Sequence, residues 1–291
     1  MTPRVSVIVP ALNEERRIGR CLEALLAQTW PADALELIVV DNGSTDATRG
    51  RVREFPVRLL VERGAQSPYA ARNAGLALAD GEILAFTDAD CIPAKDWVER
   101  GVAALEADAA DLAGGLVRFR FSEPPRAAEL VDALHNLDQE RSIAERGVAK
   151  TGNLFVRRDV LRQIGRFEER RSGCDVAFTA RASGAGFALV FAPDAVVEKP
   201  ARGAVALSRK QLRVGRGQLA LWRRTGMPAA EIRARTLRCF RPSRPAAVRA
   251  ALLRRGPPGS ERRLLAVWLA DWWMTACQGA GRVLGWLGSR A

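Results

Sequence analysis

The sequence predicts an α/β domain with a mostly parallel central sheet and flanking helices, followed by a basic helical extension. Short apolar runs rich in Val and Ile alternate with stretches of helical spacing over the first two-thirds of the chain, the pattern of βαβ units. The strand runs are continuous, as in strands buried on both faces. The charge then changes abruptly. Residues 1–200 hold 26 Lys and Arg against 30 Asp and Glu, net −4, whereas residues 201–291 hold 19 against 3, net +16. The division expected is a domain over 1–204 and an extension over 205–291.

Residues 5–9 form the first strand. From 14 to 28, Ile18, Cys21, Leu22, Leu25 and Leu26 fall on one helical face, and Trp30-Pro31 ends that helix. Residues 35–40 are the second strand, and Asp41-Asn-Gly-Ser-Thr-Asp46 is a turn leading into a short capped helix. A third strand covers 57–61. Ser67-Pro68 opens a helix running to 79, proline suiting its first turn. Asp80-Gly81 turns the chain into a strand over 83–87; 96–107 is helical and 112–121 extended. Residues 124–145 read as helix, 151–156 as strand, and 159–164 and 174–182 as helices. Two short strands, 187–191 and 195–197, flank Pro193. A long basic helix spans 205–224, with later breaks at Pro242, Pro245 and Gly256-Pro-Pro-Gly259.

With 48% hydrophobic and 27% charged residues the composition is globular, which excludes a disordered chain, a collagen-like repeat and a disulfide miniprotein. Five cysteines (Cys21, Cys91, Cys174, Cys239, Cys277) include no CxxC pair, so the expected setting is a reducing cytosol. The single histidine, His135, excludes a two-histidine site and reads as a helix-surface residue. Of 45 basic residues 41 are Arg, and their concentration near the C-terminus suggests an anionic partner: a membrane surface, nucleic acid or a phosphorylated substrate. Solvated basic helices are the alternative. No secretory leader is expected, because 5–9 is too short and lacks a charged start. The apolar run 264–287 could reach across a bilayer, but Asp271 and Arg282 would each cost about 2.5–3.5 kcal/mol at its centre. Trp268, Trp272, Trp273 and Trp286, behind Arg262-Arg263, suit an interfacial helix best, with a buried packing helix next and a span last.

In an open α/β sheet ligands bind beyond the carboxyl ends of the strands. Pro10-Ala-Leu-Asn-Glu14, Asp41-Asn-Gly-Ser44 and Asp88-Ala-Asp90 all stand there. Paired carboxylates at a strand end call for a divalent cation, and oxygen ligands suit Mg²⁺ or Mn²⁺. Such an ion would hold a diphosphate and stabilise it as a leaving group. GxxxxGK[ST] is absent, and the loose GxGxxA at 215–220 follows no strand, which argues against a dinucleotide fold.

The ordered set Val5-Ser-Val-Ile-Val-Pro-Ala-Leu-Asn-Glu14, Asp41-Asn-Gly-Ser-Thr-Asp46, Ala71-Arg-Asn-Ala-Gly75, Asp88-Ala-Asp-Cys91, Thr151-Gly-Asn153 and Ser172-Gly-Cys-Asp175 resembles family 2 glycosyltransferases with the GT-A fold. The resemblance covers 4–200 and implies a nucleotide-binding half over about 1–120 and an acceptor half over about 121–204. It implies transfer of a sugar, with inversion, from a UDP- or GDP-linked donor to a sugar, lipid-linked or small-molecule acceptor, with Mn²⁺ or Mg²⁺ as cofactor. By position, Pro10, Asn13, Glu14 and Asp41 would surround the base and ribose, Arg72 and Asn73 the nucleotide and diphosphate. Asp88 would approach the ribose or metal, Asp90 would bind the metal, and Asp175 would be the general base. A helix N-cap is the plainer reading of Asp175. Gly152 and Asn153 would meet diphosphate or acceptor, as would Arg213 and Arg216 in the basic stretch 209–217. Two positions depart from the family. Cys174 stands where Glu often precedes the base, and Lys199 where a metal-binding His often follows the late strand. A protonated lysine cannot ligate a metal. Either Glu198 replaces that ligand, or Lys199 itself offsets diphosphate charge, or activity is impaired.

The setting this implies is cytoplasmic, peripheral at the inner face of the membrane, in cell-envelope polysaccharide synthesis. A metal-dependent nucleotidyltransferase would show a Gly-rich basic loop after the first strand, and Pro10–Glu14 is not one. A catalytically impaired nucleotide-binding protein is a further alternative. Nucleic acid is disfavoured, because the tryptophans lie in an apolar run instead of interleaving with basic residues.

Overall fold

The computed structural model describes residues 2–170 and 172–287; the last four residues of the basic extension, 288–291, lie outside the described residues. Two compact units emerge. One takes in the chain as far as Arg118 together with Leu137–Pro200; the other takes in Phe119–Asn136 and the chain from Ala201 on.

Among the described residues the first unit carries one sheet of β1 (Val5–Ala11), β2 (Leu35–Asp41), β3 (Arg58–Val61), β4 (Ile83–Thr87), β5 (Ile92–Pro93), β6 (Leu112–Arg120), β7 (Asn153–Arg157) and β8 (Leu189–Pro200). The strand order is β3-β2-β1-β4-β7-β6-β8-β5. The first four strands are parallel, and β7 reverses the direction by pairing antiparallel with β4 and β6, so the sheet is mixed. Successive residues of one strand serve opposite cores. Val5, Val7 and Val9 face α1 (Ile18–Leu26), α2 (Thr48–Val52) and α4 (Trp97–Ala107). Ile8, Ile38, Val40 and Phe86 face α3 (Pro68–Leu78), with α7 (Arg158–Ile164) and α8 (Cys174–Gly184) on the same side. This double burial explains the continuous apolar runs. Gly75 lets α3 lie close on the sheet, since a Cβ there would stand 2.7 Å from Ile8 Cγ2.

Three local expectations change. The first helix begins at Ile18, after a turn in which the Arg17 and Ile18 amides donate to the Glu14 carbonyl. The helical stretch 124–145 breaks into α5 (Ala127–His135) and α6 (Gln139–Arg146) around Leu137, whose φ is 51°. The two strands around Pro193 are one strand, β8. Pro193 is exposed, and β5 pairs with β8 only at Val197 and Glu198, so Pro193 sits where the strand has a neighbour on one side only.

The second unit packs α5 with α9 (Ala204–Arg224), α10 (Ala229–Arg238), α11 (Pro245–Arg255) and α12 (Leu264–Leu287). Its core joins Leu130, Val131 and Leu134 to Leu207, Val248, Leu252, Val267 and Met274. Gly215 of α9 faces the Gln278 backbone and Gly281 of α12 faces the Leu212 backbone, each so closely that a Cβ would collide. Both charged side chains of α12 find a partner inside this unit, although Asp271 Oδ2 is buried without one among the described residues. His135, exposed at the end of α5, holds its Nε2 2.6 Å from Asp271 Oδ1, so it is a helix-surface residue with a hydrogen-bond partner on α12. Arg282 donates to Gln218 Oε1 at 2.7 Å and to the Arg235 carbonyl at 2.9 Å, with its guanidinium 4.6 Å from the Trp222 ring. Among the described residues no helix is long and apolar enough to cross a membrane. The opposite face of α12 leaves Leu265, Leu269, Trp272, Trp273, Leu284 and Leu287 exposed, a stripe at helical spacing. The helix is thus a packing helix on one face with an apolar strip on the other.

Candidate active site

The loops after β1, β2 and β4 form one edge, as expected of a sheet whose strands end together. Side chains knit the first two loops. Asn13, in the left-handed region at φ 56°, accepts from the Thr45 amide at 2.8 Å and donates its own amide to Ser44 Oγ at 3.0 Å. The Glu14 amide donates to Thr48 Oγ1 at 2.8 Å. Asp41 is fully buried, and its carboxylate accepts from the Gly43 and Ser44 amides. That carboxylate therefore shapes the turn. Pro10 lies one residue before the end of β1, beside Val40.

At the end of β4 the charges converge. Arg72, buried on α3, donates from Nη2 to Asp88 Oδ1 at 2.7 Å. Lys199, 1% exposed on β8, donates to Asp88 Oδ2 at 3.0 Å and also to Asp90 Oδ1. Its ammonium stands 3.7 Å from Cys91 Sγ. Glu14 lies close enough to feel this cluster: burial first, then the charge of Asp90, push its carboxyl above the usual range. Burial also pushes the Cys91 thiol up to about 12, so it stays protonated at neutral pH.

Asp88, Asp90 and Cys91 each bring one ligand atom within 4.8 Å of the others, close enough to hold a metal ion. The donor set fits Mn²⁺ or Mg²⁺ poorly. Both carboxylates already accept from cations, the third donor is a soft thiol, and the Lys199 ammonium touches all three. Glu198 does not complete the set. Residues 195, 197 and 199 of β8 are buried, and Glu198 projects to the other face of the pleat, outside the cluster.

Asp175 lies in the first turn of α8, where Gly173 is the N-cap, so the N-cap reading of Asp175 does not hold. Its Oδ1 accepts from the Val176 amide and, at 2.9 Å, from the hydroxyl of Tyr69. Tyr69 also lies 5.6 Å under the Arg72 guanidinium. A continuous path thus runs Asp175–Tyr69–Arg72–Asp88–Lys199–Asp90. Tyr69 belongs to none of the sequence motifs. Its being the only tyrosine, one residue beyond Pro68 at a helix start, was the available signal. Cys174, beside Asp175, is buried in the core with Phe178 and Ala182 and brings no charge.

Two other candidates, Asn73 and Asn153, are engaged by neighbouring segments of the fold. Asn73 clamps the loop before α8, donating to the Phe167 carbonyl at 2.8 Å and to Glu169 Oε1 at 2.9 Å. Asn153 is fully buried and spans three elements: it accepts from Trp97 Nε1 at 2.9 Å and donates to the Leu116 and Ala195 carbonyls at 2.9 and 2.8 Å. Gly152 does border the cluster, a Cβ there lying 3.5 Å from Asp88 Oδ2. Arg213 and Arg216 belong to the second unit, exposed on α9.

A family model described as Glycosyl transferase family 2 matches residues 6–165. The chain is 39% identical over 290 residues to glycosyltransferase AglE of Haloferax volcanii, covering 97% of this chain and 95% of that one. Among solved structures, the mannosyltransferase PcManGT from Pyrobaculum calidifontis, in complex with GDP-Man and Mn²⁺, aligns with a TM-score of 0.61 at 24% identity, covering 100% of this chain and 88% of that one. Glucosyl-3-phosphoglycerate synthase from Mycobacterium tuberculosis, in complex with phosphoglyceric acid, aligns with a TM-score of 0.55 at 23% identity over 78% of this chain and 81% of that one. At these identities the likeness to the solved structures is one of fold.

Proposed function

The chain belongs to glycosyl transferase family 2 and is a glycosyltransferase of GT-A fold, and from this premise we propose that it transfers a sugar from a GDP- or UDP-linked donor to an acceptor hydroxyl with inversion. The observation that carries the reading is the polar path joining Asp175, through Tyr69 and Arg72, to the carboxylates at the end of β4. It supports a base at one end of a site and a diphosphate at the other.

In this reading the Asp175 carboxylate takes the proton of the acceptor hydroxyl as that oxygen attacks the anomeric carbon. The bond from that carbon to the phosphate oxygen breaks, and the nucleoside diphosphate leaves with the electron pair. One displacement inverts the centre. An alcohol is a poor nucleophile, and a positioned base is worth roughly 10²–10⁴-fold. Tyr69 is a positioning residue: its hydroxyl fixes one Asp175 oxygen. Pro10, Asn13, Glu14 and the Asp41 turn border the base and ribose, and Arg72 meets the diphosphate. The Mn²⁺ or Mg²⁺ implied by the sequence has no step here.

The second unit supports a role at an anionic membrane on the cytoplasmic side, where a lipid-linked acceptor of envelope polysaccharide synthesis would be met. The exposed apolar stripe of α12 lies in a unit of strongly basic composition, and exposed arginines such as Arg262 and Arg263 precede it. Arg213 and Arg216 supply cations for an anionic acceptor in the same reading. Incubation with a panel of nucleotide sugars, reading released GDP or UDP, tests the transfer. Release from none of them across lipid-linked, oligosaccharide and small acceptors would refute it.

A further inference from the structure

We propose that Lys199 stands in for the divalent cation, so that the nucleoside diphosphate is bound without metal. The inference rests on the glycosyltransferase reading above, because the diphosphate it serves is that reading's donor.

The geometry is specific. Asp88, Asp90 and Cys91 are the described residues whose ligand atoms cluster tightly enough for an ion, and the Lys199 ammonium meets each of them: Asp88 Oδ2 at 3.0 Å, Cys91 Sγ at 3.7 Å, and Asp90 Oδ1 in direct contact. The space on which those donors converge is therefore filled by a fixed positive charge. The charge balance matches too. Two aspartates with one divalent ion sum to zero, and so do two aspartates with Lys199 and Arg72. A further divalent ion would bring uncompensated charge into a site where Lys199 and Arg72 are 1% and 3% exposed.

The sequence reason lies in the pleat of β8. Alternation sends residues 195, 197 and 199 to the buried side, so whatever occupies position 199 is carried to the carboxylates at the end of β4. A side chain with a lone pair there would coordinate an ion. Lysine has three donors and no acceptor, and serves phosphate as a compact point charge. Asp88, with its side chain 32% exposed, leaves the cluster open on one side, where the diphosphate can approach.

The test is calorimetric titration of the full-length protein with GDP and UDP, in EDTA and in MnCl₂, beside electron paramagnetic resonance titration with Mn²⁺ alone. The expected result is an affinity in EDTA within about threefold of that in Mn²⁺, and no stoichiometric Mn²⁺ binding. A tenfold or greater loss in EDTA, about 1.4 kcal/mol, would overturn the inference and leave the donor reading standing. Stoichiometric binding of Mn²⁺ alone would overturn it equally. Failure of both nucleotides to bind under both conditions would overturn the donor reading and this inference with it. Lys199→His should convert the protein, with weak binding in EDTA restored by Mn²⁺. The wild-type titrations decide the matter even if that variant does not fold.

Discussion

Asn153→Ala separates a scaffold role from a ligand role. The side chain is fully buried, and its removal leaves the Trp97 indole N–H and the Leu116 and Ala195 carbonyls without partners they now hold at 2.8–2.9 Å. An orphaned buried group costs about 1–3 kcal/mol, a donor more than a carbonyl that retains another lone pair. Taking the low end for each gives about 3 kcal/mol. For a unit of this size, about 2–4 °C per kcal/mol, the melting temperature should fall by about 6–12 °C. Scanning calorimetry reads this, and titration with GDP and UDP on the same sample reads affinity. Asn153→Asp should be no milder, since it keeps the acceptor for Trp97 but turns a carboxylate toward two carbonyls. A melting temperature within about 2 °C of wild type, with nucleotide affinity lost, would refute the reasoning and return Asn153 to the diphosphate.

Asp175→Asn should lower turnover at least roughly 10²-fold while donor affinity changes little, because Asn keeps the shape but cannot take the proton; wild-type turnover with a verified donor and acceptor would exclude Asp175 as base. Glu36 is opposed by burial, but hydrogen bonds from Ser6, the Asp80 amide and Arg58 outweigh it and hold its carboxyl below the usual range. Its stabilising contribution is present above the ordinary glutamate value of about 4.3 and is lost as pH falls through the lower folded value. The gap in urea midpoint between wild type and Glu36→Gln should therefore narrow on acidification, and a gap independent of pH would contradict this. Co-sedimentation with liposomes should rise with anionic lipid, fall with salt and weaken in the Trp272→Ala, Trp273→Ala double variant; binding indifferent to lipid charge would remove the membrane role.

The elements that were legible in the sequence are those whose signal is local. The runs at Val5, Leu35 and Ile83 and the Ser67-Pro68 start, where Ser67 Oγ accepts from the Tyr69 amide, needed no tertiary information. Pro193 misled because its cost depends on which side of β8 carries a neighbour, a property of the sheet. The same holds at the site. The clusters at Pro10, Asp41 and Asp88 were readable as strand ends, but that Asp41 holds the Gly43 and Ser44 amides and Asn153 the Leu116 and Ala195 carbonyls was not, because polar type does not say which backbone groups a side chain meets. Lys199 is legible in the sequence as a departure from the family pattern. That it reaches both Asp88 and Asp90 follows from a pairing of β8 with the segment after β4, separated by about a hundred residues. Tyr69 meets Asp175 across a similar separation, and its place beside Pro68 at a helix start says nothing of that partner.

The placement of α5 bears on how the chain is made. The ribosome releases Leu130, Val131 and Leu134 before the residues of the later helices that cover them. Leu207 follows by about 70 residues and Met274 by about 140, so at 5–20 residues per second the helix stays uncovered for roughly ten seconds. During that interval the nascent chain displays an apolar helix face. A gene fragment ending near Pro200 would make that condition permanent, so expression of the N-terminal two-thirds alone should yield a product that clumps or recruits chaperones, although its sheet is complete.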